Sequence, residues 1–247
     1  VSCSWLAKYQ EELLKVYTNF ADEKSREVFA ATLNYKLSGK LSYLETITTM
    51  REEDCRHLFH FSKEETYVDL GAYDGDTIKE FLNYTDCSYR EIVALEPDSK
   101  NFKKLQRFVV EAGLKHVHLF NKGIWSEEGT LSFAASGGRQ SALQSNGKVE
   151  VPVDSVDHIM QGRTVSYMKL DVEGAEFEAL SGAAHTIYKW APKLFVAAYH
   201  RDNDLWRLPL LLWQLNNNYN IYLRKHPYVP AWELNFLAVT KEDTQGQ

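Results

Sequence analysis

The chain has 247 residues, enough for one α/β domain with a sizeable core and an appended element, and this length does not demand a second full domain. Its 28 Lys and Arg against 34 Asp and Glu give a net charge of −6, with no dense basic tract. This balance argues against a nucleic-acid partner. The apolar runs are far shorter than the ~20 residues that span a bilayer, so we expect no membrane partner.

Three cysteines, Cys3, Cys55 and Cys87, are widely spaced. They form no CxxC pair and belong to no zinc-type cluster of His and Cys residues. This usage favours a reducing compartment, and we expect the protein to be cytoplasmic.

Residues 5–49 have apolar side chains at helical spacing and predict two or three helices. Asp22 is suited to start one of them and Gly39 to end it. We therefore expect a helical segment over residues 1–60, with a lid or a substrate-binding element as its candidate role. The main domain would then cover residues 61–247.

After residue 61, short β-rich runs alternate with amphipathic helical stretches, a pattern typical of βαβ units and a largely parallel sheet. Strands are predicted near residues 66–71, 91–96, 116–121, 165–171, 193–199, 219–224 and 234–240. The last two are joined by too few residues for a crossover helix and should pair antiparallel. Residues 126–160 predict an inserted hairpin with its tip at 136–147. Asp98 should cap a helix over 98–112.

The run from Tyr67 to Gly75 predicts a buried strand followed by a sharp turn, because its two glycines let the backbone bend and approach a ligand. In a dinucleotide-binding protein the pattern would be GxGxxG, and the next helix would hold a pyrophosphate. Here Tyr73 and Asp76 occupy the second and third glycine positions, and Asp74 adds further negative charge. The loop favours a cationic or zwitterionic ligand, with a simple tight turn as the structural alternative.

Glu96 ends the second predicted strand, near the roughly 20-residue offset at which an acid accepts hydrogen bonds from both ribose hydroxyls. Its alternative role is a favourable interaction with the dipole of the next helix. In the ribose role, Pro97 and residues 121–125 would flank an adenine. Ile124 or Trp125 would then stack on the base or belong to the core.

Residues 167–171 predict a central strand whose end places Asp171 and Glu173 at the ligand-binding edge of the sheet. Alternation puts Lys169 and Asp171 on one face. An alternative role for Glu173 and Glu176 is a favourable interaction with the dipole of the next helix, as acids in its first turn. This alternative explains Glu176 best.

Three segments, residues 68–75, 94–98 and 169–176, resemble in order and spacing the successive motifs of the FkbM-type methyltransferases. The resemblance extends over about residues 65–239. It implies a class I methyltransferase fold: an α/β, Rossmann-like, seven-stranded, mostly parallel sheet with helices on both faces. It also implies S-adenosylmethionine as donor, S-adenosylhomocysteine as product, and usually O-methylation of a hydroxyl on a sugar, polyketide or related metabolite. Tyr73 and Asp74 depart from the small or amide residues common in that loop.

The predicted contacts to the methyl donor are Asp69, Gly71, Ala72, Tyr73, Asp74, Gly75, Thr77, Glu96, Pro97, Asn121, Gly123, Ile124, Trp125 and Asp171. A hydroxyl acceptor also needs a base, which typically contributes about 10²–10⁴ in rate. Asp171, Glu173 and His200 are the candidates, and His226 is a weaker one. Asp171 and His200 are too few for a metal site, so no metal ligand is predicted and metal dependence stays open.

Two other functions are compatible with these patterns. A nicotinamide-dependent oxidoreductase has the same general architecture, although the missing GxGxxG argues against it. The second alternative is a non-catalytic module that binds S-adenosylmethionine and whose N-terminal helices bind a partner. The patterns define neither the acceptor nor the oligomeric state. Acceptor specificity is expected from the N-terminal helices, residues 136–147 and residues 201–213.

Overall fold

A computed structural model describes residues 1–133, 149–228 and 232–242, so the predicted hairpin tip at 136–147 lies outside the described residues. The chain divides into two compact units. The terminal unit comprises Val1–His60 and Lys193–Gln247, and the central unit comprises Phe61–Pro192. Among the described residues, no helix has the length and apolar character needed to span a membrane.

The secondary-structure elements follow one another along the described chain. The helices are α1 (Cys3–Lys8), α2 (Gln10–Asn19), α3 (Glu23–Ser38), α4 (Ser42–Glu45), α5 (Arg51–Phe59), α6 (Asp76–Tyr84), α7 (Ser99–Glu111), α8 (Val156–Met160), α9 (Glu176–Ser181), α10 (Ala184–Trp190) and α11 (Asp204–Leu215). The strands are β1 (Thr66–Leu70), β2 (Glu91–Leu95), β3 (Val117–Phe120), β4 (Gly123–Ile124), β5 (Gly129–Phe133), β6 (Val149–Asp154), β7 (Tyr167–Leu170), β8 (Lys193–Ala197), β9 (Tyr219–Lys225) and β10 (Leu234–Thr240).

The main sheet has seven strands in the order β3-β2-β1-β7-β8-β10-β9. Strand β1 pairs in parallel with both β2 and β7, and β2 pairs in parallel with β3. Strand β10 is antiparallel to β8 and β9. The predicted α/β fold with a seven-stranded, mostly parallel sheet is confirmed, as is the antiparallel final pair. Each predicted strand matches an observed one to within two residues at either end.

The core of the central unit is an aromatic layer under strands β1 and β7. Tyr67 and Tyr167 are register partners on these strands, and their rings stack with centroids 4.8 Å apart. Phe81 of α6 lies 4.5 Å from the ring of Tyr67. All five residues of β1 are buried, as expected for an interior parallel strand. This packing joins β1, β7 and α6 in one core.

Two further predictions for the central unit are confirmed by the structure. Helix α7 begins after Asp98, whose carboxylate accepts hydrogen bonds from the backbone N–H groups of Lys100 and Asn101, each at 2.9 Å. Strands β5 and β6 form the antiparallel pair of the predicted insert, and β4 adds a parallel third strand.

The N-terminal residues form more helices than the two or three predicted for residues 5–49. Tyr9, with φ −112° and ψ 23°, ends α1 and precedes α2, and α4 is only four residues long. The predicted ends of one helix are confirmed. The Asp22 carboxylate accepts the Ser25 N–H at 2.8 Å at the start of α3, and Gly39 ends it with φ +72°.

A buried ion-pair network joins these helices to β9 within the terminal unit. Arg224, 5% exposed, donates to Asp22 at 2.6 Å, to Asp54 at 3.2 Å and to the Ser25 hydroxyl at 3.0 Å. Burial alone would raise the pKa of Asp22, but hydrogen bonds from Arg224 and Ser25 hold it below the ordinary value. The N-terminal helices therefore have a structural role in this unit, and their role as a lid stays a prediction.

Ser25→Ala should lower the free energy of unfolding by about 1–3 kcal/mol, because the substitution leaves buried polar groups without a partner. The Ser25 hydroxyl is fully buried and accepts the Leu223 N–H at 2.9 Å. Ser38→Ala, at an exposed position on the same helix, is the control and should change stability by less than about 0.5 kcal/mol. Urea denaturation measures both. Equal effects of the two substitutions would contradict the role given to Ser25.

Candidate active site

The β1–α6 loop, residues 71–75, makes a sharp turn in which two glycines pack closely against neighbouring residues. Gly71 has φ +82°, and a Cβ placed on it would lie 2.0 Å from the carbonyl oxygen of Asp171. Gly75 has φ +94°, and its Cβ would lie 2.4 Å from a ring carbon of Phe108. The N–H groups of Gly71 and Ala72 both donate to the carbonyl of Leu95. Both glycines are therefore required by packing as well as by the turn.

Glu96 links this loop to the start of α7. Its side chain is buried, and one carboxylate oxygen accepts the Tyr73 N–H at 2.8 Å while the other accepts the Asp98 N–H at 2.8 Å. Burial raises the pKa of Glu96 to about 7, despite the opposing effect of these hydrogen bonds. Each carboxylate oxygen retains capacity for a second donor. The pair of oxygens is thus suited to two adjacent hydroxyl groups.

The raised pKa of Glu96 predicts that the ligand-free protein loses stability as the pH rises from 5 to 8. A carboxyl that binds its proton more tightly when folded contributes stability in full below its ordinary pKa of 4.5, and this is lost as the pH rises through about 7. The difference corresponds to about 3 kcal/mol. Urea denaturation at the two pH values should show this loss in the wild type and a smaller one in Glu96→Gln. Equal losses would contradict the assignment.

The buried Asp69 and Lys169 form a polar chain with the partly exposed Thr77 beneath the β1–α6 loop. The Thr77 hydroxyl donates to Asp69 at 2.6 Å, and the Lys169 ammonium lies 3.4 Å from the other carboxylate oxygen. The same ammonium donates to the carbonyl of Gly71 at 2.7 Å. The sequence placed Lys169 on the face of Asp171 but did not identify it as a site residue, because its partners depend on the register between β1 and β7.

The charge around the loop is predominantly negative. The acidic side chains in or next to it are Asp69, Asp74, Asp76 and Glu96. Lys169 neutralises part of this charge from below, and Lys104 lies 5.3 Å from the ring of Tyr73. Such a site favours a ligand with positive charge over a pyrophosphate.

The segment after β3 supports the connection between β2 and α7. The Asn121 amide donates to the carbonyls of Glu96 at 2.8 Å and Pro97 at 3.1 Å. Gly123 and Ile124 form β4, and Ile124 is buried, which favours the core role for it. Trp125 is partly exposed, and its backbone N–H donates to the Asp154 carbonyl at 2.8 Å. It therefore stays a candidate for contact with a base.

The end of β7 presents two of the candidate bases. The Asp171 N–H donates to the Leu70 carbonyl at 3.1 Å, and the side chain of Asp171 is partly exposed. Glu173 is exposed and has φ +55°. Glu176 is fully buried and accepts the N–H groups of Val172 at 3.0 Å and Gly174 at 3.3 Å, which gives it a structural role in this turn.

The two candidate histidines belong to the terminal unit. His200 follows β8 and is partly exposed, and its ring centroid lies 4.2 Å from that of Tyr199. His226 is 1% exposed, with one ring nitrogen 3.2 Å from Asp54 and the other 3.1 Å from Asn235. Burial lowers the pKa of His226. These contacts make His226 part of the buried network, whereas His200 stays a candidate base.

One cluster of potential metal ligands in the central unit consists of Glu128, Asp154 and His158, whose ligand atoms lie within 4.8 Å of one another. The Lys122 ammonium lies 2.7 Å from Asp154 and 3.7 Å from Glu128. Because this ammonium already neutralises the carboxylates, the cluster is an ion-pair group and gives no support for a metal.

A model of the FkbM methyltransferase domain matches residues 69–229, more than half of the chain. The chain belongs to the FkbM methyltransferase family. S-adenosylmethionine is the cofactor of this family, which confirms the cofactor that the sequence motifs predicted. A search of curated proteins gave no match.

One solved structure of an FkbM methyltransferase has a fold similar to that of this chain. The FkbM methyltransferase from Methylobacillus flagellatus KT has 23% sequence identity and a TM-score of 0.82, with 95% of this chain and 60% of that chain covered. This chain therefore spans less than two thirds of that protein. An rRNA methylase from Streptococcus thermophilus has 10% identity and a TM-score of 0.49, with 76% of this chain and 93% of that chain covered. Precorrin-6y C5,15-methyltransferase from Geobacter metallireducens GS-15 has 12% identity and a TM-score of 0.48, with 77% of this chain and 87% of that chain covered.

Proposed function

We propose that this FkbM methyltransferase transfers the methyl group of S-adenosylmethionine to a hydroxyl oxygen of a small-molecule acceptor, and that Glu96 anchors the donor. The observation that supports this most is the buried Glu96 carboxylate at the end of β2, held by one backbone N–H on each oxygen. Two further donors, one for each oxygen, match the two hydroxyls of a ribose.

The rest of the donor site follows from the chemistry of the surrounding residues. The acidic β1–α6 loop suits the sulfonium and ammonium groups of the cofactor. Trp125 is the candidate for stacking on the adenine. The full proposed set is Asp69, Gly71, Ala72, Tyr73, Asp74, Gly75, Thr77, Glu96, Pro97, Asn121, Gly123, Ile124, Trp125 and Asp171.

The protein has two catalytic tasks, to align the acceptor and to remove its proton. The cofactor supplies an electrophilic methyl carbon on a positively charged sulfur. Alignment alone contributes roughly 7–11 kcal/mol in favourable cases. We assign proton removal to Asp171, Glu173 or His200. Asp171 has the firmest position, because its backbone is hydrogen-bonded to the end of β1 and its carboxylate is partly exposed.

A small metabolite is the proposed acceptor and the cytoplasm the proposed location. The net charge of −6 without a basic tract opposes a nucleic-acid substrate. All three cysteines are free thiols in the structure, in keeping with a reducing compartment.

The test combines binding and turnover. Titration calorimetry should show binding of S-adenosylmethionine and S-adenosylhomocysteine and none of NADH. Incubation with a panel of sugars, polyketides and related hydroxylated metabolites should give a product whose added methyl group lies on oxygen, as located by mass spectrometry and NMR. Glu96→Gln protein is the matched control. NADH binding without S-adenosylmethionine binding would favour an oxidoreductase, and binding without turnover across the panel would favour a non-catalytic module.

A further inference from the structure

Lys169 is a charged side chain in the interior of the central unit. It lies in the middle of β7, opposite Asp69 of β1 in the register, and is only 3% exposed. Removing an ammonium group from water is costly, and a buried ion pair is often no more stabilising than apolar side chains of similar volume. Stability alone is therefore a weak reason for a lysine at this position.

The contacts of Lys169 lie directly below the proposed donor site. Its ammonium donates to the carbonyl of Gly71 at 2.7 Å, so β7 holds the first peptide of the β1–α6 loop. Asp69, 3.4 Å from the ammonium, accepts the Thr77 hydroxyl at 2.6 Å, which extends the connection to α6. The Lys169 ammonium is therefore connected to Gly71 at the start of the loop and, through Asp69, to Thr77 just after its end.

The far side of the loop is held by Glu96. The Tyr73 N–H donates to Glu96, whereas the Gly71 carbonyl accepts from Lys169, so the loop is held from β2 on one side and from β7 on the other. Tyr73 has φ +48°, a left-handed conformation that a non-glycine residue adopts only when its surroundings favour it. The two side chains together favour this turn.

We propose that Lys169 is a positioning residue for the methyl donor: it fixes the carbonyl of Gly71 and thereby preorganises residues 71–75 for the cofactor. The role rests on the proposed function. Asp69 is a charged group in contact with the ammonium. The positive charge of Lys169 also acts to lower the pKa of Asp76 and of Glu96. Burial raises the pKa of Glu96, and the positive charge of Lys169 acts against that rise.

The experiment compares Lys169→Met, the double variant Asp69→Asn/Lys169→Met, and Lys103→Met. Lys103 is exposed on α7, so its substitution controls for the loss of one positive charge. The double variant avoids the buried, uncompensated carboxylate that the single substitution leaves, and it keeps the test open if Lys169→Met does not fold. Titration calorimetry with S-adenosylhomocysteine across pH 6 to 8 is the readout, with thermal unfolding alongside.

Both Lys169 variants should bind S-adenosylhomocysteine about tenfold more weakly or worse, since the donor to Gly71 is lost. In Lys169→Met the pH midpoint of binding should also move upward, because Glu96 loses a nearby positive charge. A lysine that only stabilises the fold would lower the unfolding temperature when substituted, but the folded variants would keep the wild-type affinity. Lys103→Met should bind like the wild type. Folded Lys169 variants with wild-type affinity and midpoint would overturn the assignment, whereas absence of binding to the wild type would overturn the proposed function instead.

Discussion

Gly71→Ala is expected to abolish binding of S-adenosylhomocysteine and to lower the free energy of unfolding by about 3–5 kcal/mol. The added Cβ would lie 2.0 Å from the Asp171 carbonyl oxygen, a backbone atom at the end of β7 that a side-chain rotation cannot move. The left-handed φ of +82° adds about 1–2 kcal/mol for any L-residue. Relief of the contact would separate β1 from β7 at the proposed donor site. Urea denaturation and calorimetry measure the two effects.

Gly113→Ala is the matched control for Gly71→Ala. Gly113 has φ +63° in the same compact unit, but a Cβ there would have nothing within 4 Å. This substitution should therefore show only the backbone cost of about 1–2 kcal/mol and normal binding. Similar losses of stability and binding in both variants would show that the contact with Asp171 is unimportant.

Glu96→Gln is expected to weaken S-adenosylhomocysteine binding by about 10- to 100-fold, the equivalent of roughly 1.5–3 kcal/mol for hydrogen bonds to a charged group. The two carboxylate oxygens accept from the Tyr73 and Asp98 N–H groups. An amide has only one acceptor oxygen, so its NH₂ group would face one of these donors. The substitution therefore disturbs the loop and also removes the charge offered to the ribose.

The pH dependence of binding separates this effect from a general loss of structure. Since the pKa of Glu96 is about 7, wild-type affinity should rise between pH 6 and 8 as the carboxylate ionises. Glu96→Gln should lack this rise. Glu111→Gln, an exposed acid at the end of α7, makes the same charge change and should behave like the wild type. A steep pH dependence that persists in Glu96→Gln would assign the titration to another group.

Much of the sheet could be predicted because most of its strands, though not β3, are largely buried and are bounded by turn residues. The run at 234–240 is one such case, and its short connection to the preceding strand was enough to predict antiparallel pairing. The capping roles of Asp22 and Asp98 were also predictable, because a cap depends only on its immediate neighbours.

The parts that could not be predicted depend on contacts between distant residues. The alternation of β7 placed Lys169 on a face, but its bond to Gly71 depends on the register of β7 against β1, which the sequence does not fix. The left-handed conformation of Tyr73 depends on Glu96, 23 residues away. The division of the first predicted helix at Tyr9 has no proline or glycine to mark it.

The position of the ribose in a crystal structure with S-adenosylhomocysteine bound is the most direct test of the proposed donor site. We predict that both ribose hydroxyls lie within about 3 Å of the two Glu96 carboxylate oxygens, with the amino-acid end of the ligand over residues 71–75. A nucleoside bound elsewhere in the protein, with the Glu96 carboxylate making only its contacts to Tyr73 and Asp98, would contradict the account.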